Sequence, residues 1–360
     1  MRLRLLLFLT TISLALIGIF ILYESSTYTA LINVGDKYYF VKNQIMWVIL
    51  GVILCLGVSR IPYKKFYPFA LPLLLVTLAL LVAVFIPGIG VRLKGASRWI
   101  DTGFSLFQPS ELLKISLTLY LAAWLSSVKE KGRFLAFMLL VGICGGLVII
   151  EPDMGTAFIV TGGATIVYFL SGVQLKEMVL IGLTLLVGIF VLVGIEPYRV
   201  ARLTSFQNFD KHDLSGTSYH VKQVLIALGS GGLMGVGLGQ SIQKYAYLPE
   251  STTDSIFAIY AEETGFVGTL FIISVFIFQL ILGFAIAARA PDLFGRLLAV
   301  GITSFISIQA LINFASQAVL MPLTGVPLPF ISYGGSSMVI NFISIGILLS
   351  IAGQIKGAQR

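Results

Sequence analysis

Apolar runs of about twenty residues recur from one end of the chain to the other, separated by polar or basic stretches. Each run is long enough to cross a bilayer as an α-helix. The runs predict spans at roughly 5–23, 44–59, 68–87, 110–127, 134–150, 155–172, 178–196, 255–287, 298–320 and 337–355. The second is short, and the eighth is long enough to tilt or to project beyond the lipid. The opening MRLRLLLFLTTISLALIGIFIL is followed by YESS rather than a small-residue cleavage site, so it reads as a first span that stays. No stretch is large enough to hold a soluble core. Residues 1–360 therefore read as one all-α polytopic membrane domain of about ten transmembrane helices.

Two segments break the pattern. Residues 197–254 form a polar loop of roughly sixty residues, a length usually tied to function. Within it, YHVKQVLIALG (219–229) has the pattern of a short amphipathic helix, so the loop is expected to fold over the membrane. The second segment is MPLTGVPLPFISYGGSS, Met321 to Ser337. It is apolar, but Pro322, Gly325, Pro327, Pro329, Gly334 and Gly335 prevent a regular helix. Irregular backbone at membrane depth survives only where protein or water covers it, so this is an expected re-entrant segment lining an outward cavity. No internal repeat is visible, which weakens an inverted-repeat transporter.

Composition agrees with the hydropathy: 57% of the 360 residues are hydrophobic and 11% charged. The net charge of +8 points to anionic lipid head groups, because the basic residues are scattered through membrane loops; nucleic acid is excluded as a partner. With the N-terminus inside, 13 Lys and Arg fall on the inner side and 10 on the outer, half of the latter in the long loop. Both termini are therefore expected to be cytoplasmic, and residues 197–254 extracytoplasmic. Cys55 and Cys144 lie within apolar runs and read as packing residues.

The chemistry-bearing residues are few. In YLPESTTDSIFAIYAEE (247–263), Asp254 stands at the start of the eighth span. An acid there suits the helix dipole and can cap the helix. Ser251, Thr252 or Thr253 would cap as well, however, without the cost of a carboxylate at the lipid edge. Glu262 lies roughly 12 Å further along a helix, too far to pair catalytically with Asp254. Glu262 and Glu263 read as interior acids in need of partners. Glu111 and Lys114 in FQPSELLKI are three apart on one face, so they form either a structural ion pair or part of a cavity lining. Arg92, Lys94 and Arg98, with Trp99 beside them, stand on the expected outer side, as do Arg202, Lys222 and Lys244. Such cations suit a diphosphate, although each singly is also an ordinary solvated charge. GSGGLMGVGLG (229–239) follows no strand, so it is not read as a nucleotide loop; its glycines suit tight turns and close backbone approach.

Several blocks together resemble one family: KGASRWID with FQPSELLK, EPDMGTA, PYRVARLTSF, ALGSGGLMGVGLGQSIQKYAYLPESTTDSIFAIYAEETGFVG and PLTGVPLPFISYGGSS. Their order and content are similar to the SEDS proteins, which include RodA, FtsW and SpoVE, and the resemblance covers essentially the whole chain. It implies a ten-span peptidoglycan glycosyltransferase of the bacterial cytoplasmic membrane that polymerises lipid II on the outer face. The implied partners are a class B penicillin-binding protein that crosslinks the strands and the membrane proteins of the divisome or elongasome. The family's essential aspartate matches Asp254, in a stretch that also carries Pro249, Glu250 and Thr253. Its fourth-span acid and lysine match Glu111 and Lys114, and its loop arginine and tryptophan match Arg98 and Trp99.

This chain has Tyr219-His220 where division-type members often have Tyr-Gln, and DSIFA where DFIFA is common. PYRVARLTSF and GLGQSIQKYAYLPE look more like the division type. The resemblance implies that Asp254 acts near the acceptor 4-hydroxyl, either as general base or as ligand of a divalent cation, Mg or Mn, beside the donor diphosphate. Arg98, Trp99, Arg202, Lys222, Lys244, Glu250 and Thr253 are the expected substrate contacts. Two other classes remain open, a lipid II flippase and a scaffold for the division or elongation machinery.

Overall fold

The computed structural model describes residues 2–93, 95–127, 133–195, 200, 206 and 217–355. The helices are α1 (Arg2–Val34), α2 (Tyr39–Arg60), α3 (Ala70–Ala83, entered through a 3-10 turn at Tyr63–Phe69), α4 (Pro109–Ser127), α5 (Phe134–Ile150), α6 (Met154–Leu170), α7 (Leu175–Ile195), α8 (Thr217–Gly231), α9 (Ile256–Ala288), α10 (Leu293–Gln317) and α11 (Gly335–Gly353). Among the described residues, six helical segments are long and apolar enough to cross a membrane: α1, α2, Tyr63–Ala83, α9, α10 and α11. Helices α5 and α6 are apolar but shorter, at 17 residues each. The expected amphipathic helix at 219–229 is realised within α8.

The fold is mostly helical, as expected, with one small addition that the hydropathy pattern did not predict. Residues 90–107 form a small antiparallel sheet of β1 (Gly90–Leu93), β2 (Ala96–Asp101) and β3 (Leu106–Phe107), in the order β1-β2-β3. Val91 pairs with Trp99, Leu93 with Ala96, and Ile100 with Phe107. The physical signal is local: a β-branched and aromatic run bounded by Gly95 and Gly103, both at positive φ.

Helix α1 also runs past its expected end at residue 23, through the polar stretch YESSTYT. The hydroxyls there bond back onto the helix, Ser25 to Leu22 O and Thr27 to Tyr23 O. Glu24 on the extended part accepts from Lys244 at 3.4 Å.

Helix α10 is the centre of the bundle, packed on α4, α6, α9 and α11. It is buried on most of its circumference and carries Thr303, Ser304, Gln309, Asn313, Ser316 and Gln317 inward. Of these, Gln309 and Asn313 serve backbone carbonyls outside the helix, while Thr303 and Ser316 bond back to Ala299 O and Asn313 O. Here the irregular residues 318–334 lie beside it, with Val326, Leu328, Phe330 and Ile331 buried.

The long α9 is broken at Gly265, whose φ of 67° and ψ of −164° interrupt the helical ladder. The glycine-rich loop after α8 repairs the break. Val236 and Gly237 donate to Glu262 O and Glu263 O at 3.0 and 3.1 Å, while Phe266 and Val267 donate to Gly232 O and Leu233 O at 2.9 and 3.2 Å. Every group freed by the break among these is thereby satisfied. A Cβ at residue 265 would stand 2.7 Å from Leu233 O, so both the conformation and the close approach require glycine.

Candidate active site

Asp254 lies in a compact turn ahead of α9 and is half-buried. Thr253 and Ser255 both donate their N–H to Glu250 O at 3.1 Å, and Glu250 itself adopts φ 54°. The Thr253 hydroxyl donates to the Glu250 carboxylate at 3.0 Å. The three residues expected at the site, Glu250, Thr253 and Asp254, thus form one unit. Ser255, not Asp254, occupies the N-cap position of α9, and its hydroxyl is engaged at 2.7 Å with Nε2 of His220 from α8.

Three long-range contacts hold this turn against the irregular segment and α10. Ser332 donates its hydroxyl to Thr253 O at 2.6 Å, and the Tyr333 N–H donates to Thr252 O at 3.0 Å. Asn313 donates its carboxamide to Asp254 O at 3.0 Å and to Val326 O at 2.8 Å. Gly325 lies against the Asp254 carboxylate.

Glu111 and Lys114 form an ion pair at 2.7 Å, with side-chain exposures of 4% and 0%. Lys114 lines a small pocket between α4, α6 and α10 with Leu117, Ile159 and Phe305. Lys114 also donates to Gln309 Oε1 at 2.6 Å and sits 5.7 Å from the centre of the Phe305 ring. Gln309 donates in turn to Pro327 O at 2.9 Å.

The expected cations are distributed unevenly. Lys244 is buried and paired with Glu263 at 3.1 Å and Glu24 at 3.4 Å, so its charge is already matched by two carboxylates. Glu262 accepts from Ser230, Ser241 and the N–H groups of Ile242 and Gln243, so both interior acids serve the same loop. Arg98 donates to Glu151 O at 2.8 Å and to Pro152 O, clamping the sheet onto the α5–α6 turn. Trp99 is half-buried on β2, and Lys222 is exposed on α8. Arg202 lies outside the described residues.

The α5–α6 turn contains Glu151, wholly buried, with neither carboxylate oxygen accepting a hydrogen bond among the described residues. Burial, reinforced by the Asp153 charge and opposed by Arg98, pushes its carboxyl up to about 8. Asp153 caps α6 through the Thr156 N–H at 3.0 Å, and the following Gly155 packs on Val326. Gln309, Asn313, Ser332 and Glu151 were not anticipated. Polar carboxamides at 309 and 313, four apart in an apolar span, are the signal that would have found the first two.

For a divalent cation the turn offers the carboxylate of Asp254, with that of Glu250 on the same turn engaged by the Thr253 hydroxyl. Among the described residues no cluster of three His, Cys, Asp or Glu could hold a metal. So few protein ligands fit the mode in which Mg²⁺ is bound by one or two carboxylates together with substrate phosphates and water, not by an all-protein cage.

Comparison with known proteins gives a consistent placement. The family model for FtsW, RodA and SpoVE, described as cell cycle protein, matches residues 4–357. The chain belongs to the FtsW/RodA/SpoVE family. Stage V sporulation protein E of Bacillus subtilis is 37% identical over 353 residues, covering 97% of this chain and 96% of the relative. A probable peptidoglycan glycosyltransferase FtsW of Trichlorobacter lovleyi is 39% identical over 358 residues, covering 98% and 93%. Among solved structures, a chain of a peptidoglycan synthase complex, described as coordinating polymerization and crosslinking, superposes with a TM-score of 0.78 at 25% identity, covering 98% of each chain. The rod shape determining protein RodA of Thermus thermophilus superposes with a TM-score of 0.72 at 25% identity, covering 97% of this chain and 96% of that one.

Proposed function

We propose that this SEDS-family membrane protein is a peptidoglycan glycosyltransferase that polymerises lipid II into β-1,4-linked glycan, with Asp254 as its reactive carboxylate. The observation that carries the reading is the Asp254 turn itself. A half-buried acid is fixed by Asn313 and, through its neighbours, by Ser332 and Tyr333, where a helix cap would need no such scaffold. Relatives named probable peptidoglycan glycosyltransferase FtsW, matched over at least 93% of either chain, support the same activity.

In the reaction, the acceptor sugar's 4-oxygen bonds to the donor anomeric carbon as the bond from that carbon to the lipid diphosphate breaks. The hydroxyl proton passes to Asp254 as the new bond forms, because a sugar hydroxyl is too weak an acid to lose it earlier. The departing diphosphate needs positive charge, for which exposed Lys222 and the loop residue Arg202 are the proposed donors. In the alternative reading Asp254 would instead hold a divalent cation, which would supply charge neutralisation for the departing diphosphate. Arg98 and Trp99, on the sheet clamped to the α5–α6 turn, form a wall for the head group, and Glu250 and Thr253 hold the turn that presents Asp254.

The finer topology belongs to the same proposal. Ten helices span the bacterial cytoplasmic membrane, both termini are cytoplasmic, residues 197–254 face outward, and the segment Met321 to Ser337 re-enters from that side. A class B penicillin-binding protein is the proposed crosslinking partner, within either the division or the elongation machinery. The test is polymerisation of labelled lipid II by the chain purified with that partner. Wild type is expected to give long glycan, Asp254→Ala none, and a chelator is expected to suppress the wild-type rate. Glycan made equally well by folded Asp254→Ala would sink the mechanism. Lipid II transport without any polymer would favour the flippase.

A further inference from the structure

Gln309 and Asn313 stand one turn apart on α10, both with 0% exposure. Residues four apart share a helix face, so both carboxamides address the same neighbour. That neighbour is the irregular segment, whose carbonyls at 326 and 327 have no helical donor. Gln309 serves Pro327 O and Asn313 serves Val326 O.

The orientation of each amide is fixed by its partners. An ammonium can only donate, so Lys114 holds the Gln309 oxygen toward α4 and leaves the Gln309 nitrogen for Pro327 O. Asn313 meets two carbonyls with one nitrogen and uses both of its hydrogens, on Val326 O and Asp254 O. Turned over, its oxygen would face two other oxygens. The Lys114 charge, matched by Glu111, strengthens the first bond of the series.

We propose that Asn313 and Gln309 are positioning residues for the transfer reaction: Asn313 ties the Asp254 backbone to Val326, Gln309 holds the adjacent Pro327 carbonyl, and Lys114, paired with Glu111, anchors Gln309. The inference rests on Asp254 being the reactive carboxylate. Under it, Lys114 acts on the reaction through Gln309 and never touches the substrate. A carboxylate displaced by a fraction of an ångström loses rate and not affinity, because the bound sugar is held by other groups.

The test uses the full chain with its class B partner and two near-isosteric variants, Asn313→Asp and Gln309→Glu. Asn313→Asp replaces the two-pronged donor with an acceptor. Gln309→Glu keeps an oxygen for Lys114 but loses the donor to Pro327 O. Labelled lipid II is titrated to count binding-competent sites, and polymerisation is measured per site. The expected result is kcat lower by on the order of tenfold or more in both variants, with KM within about twofold of wild type. Counting sites separates this from a merely unfolded fraction, and Gln309→Glu keeps the question answerable if Asn313→Asp does not fold. Wild-type kcat per site in both variants, or a raised KM with unchanged kcat, would overturn the proposal. If Asp254→Ala also polymerises, the reading beneath it fails instead.

Discussion

A Cβ built on Gly325 would stand 3.3 Å from Oδ2 of Asp254, and Gly325 itself has a φ of +74°. The residue is thus constrained twice, by its backbone and by the acid it faces. Gly325→Ala is expected to cost about 1 kcal/mol in strain, little enough for the protein to fold. The new methyl crowds the carboxylate, so the polymerisation rate is expected to fall more than thermal stability does. Equal lipid II polymerisation by the folded variant would show that the carboxylate tolerates displacement.

Lys244 separates a structural from a substrate role. Its removal leaves Glu24 and Glu263 without their shared cation, and breaking a buried pair costs about 3–5 kcal/mol. Lys244→Met is expected to lower the melting temperature in detergent clearly while the surviving folded protein binds lipid II with unchanged affinity. A stable variant with weakened lipid II binding would return Lys244 to the substrate.

Glu151 makes stability pH-dependent. Its carboxyl is pushed up to about 8, mainly by burial, so from about pH 5 to 8 the folded protein holds a proton that the unfolded chain has released. The stabilisation is complete at low pH and is lost as pH rises through that range. Glu151→Gln, a neutral isostere, is expected to match wild type near pH 5 and to exceed it increasingly toward pH 8. The difference should grow by no more than about 1.4 kcal/mol per pH unit. Thermal melts across this range check it, and parallel curves would mean that Glu151 is ionised in the fold.

Arg98 reaches two successive carbonyls with one planar fork. Lysine carries the same charge without that geometry. Arg98→Lys is therefore expected to loosen the sheet, seen as faster proteolytic cleavage within residues 90–107. Unchanged cleavage with impaired lipid II binding would instead mark Arg98 as a substrate contact.

Much of the helical frame was legible because a bilayer-spanning run leaves a strong pattern, and α4, α5 and α6 fall within a few residues of their expected limits. The sheet was missed because strands of two to six residues give hydropathy little to register. The polar tail of α1 was missed because hydroxyls that bond to their own helix look, in sequence, like a loop. At the site, Asp254, Glu250 and Thr253 were legible as neighbours in sequence. Asn313 and Ser332 reach them from 59 and 79 residues away, distances that periodicity cannot bridge. The Lys244 charge was legible, but its partner Glu24 lies 220 residues away on α1.

The bonds from Asn313, Ser332 and Tyr333 onto residues 252–254 also order events during synthesis. The acid emerges well before the groups that set it. A nascent chain that has threaded α9 into the lipid still lacks the carboxamide, the hydroxyl and the amide that hold the turn. The turn is therefore held in place only once α10 and residues 318–334 have followed, and a truncated product ending before residue 313 lacks all three of these bonds.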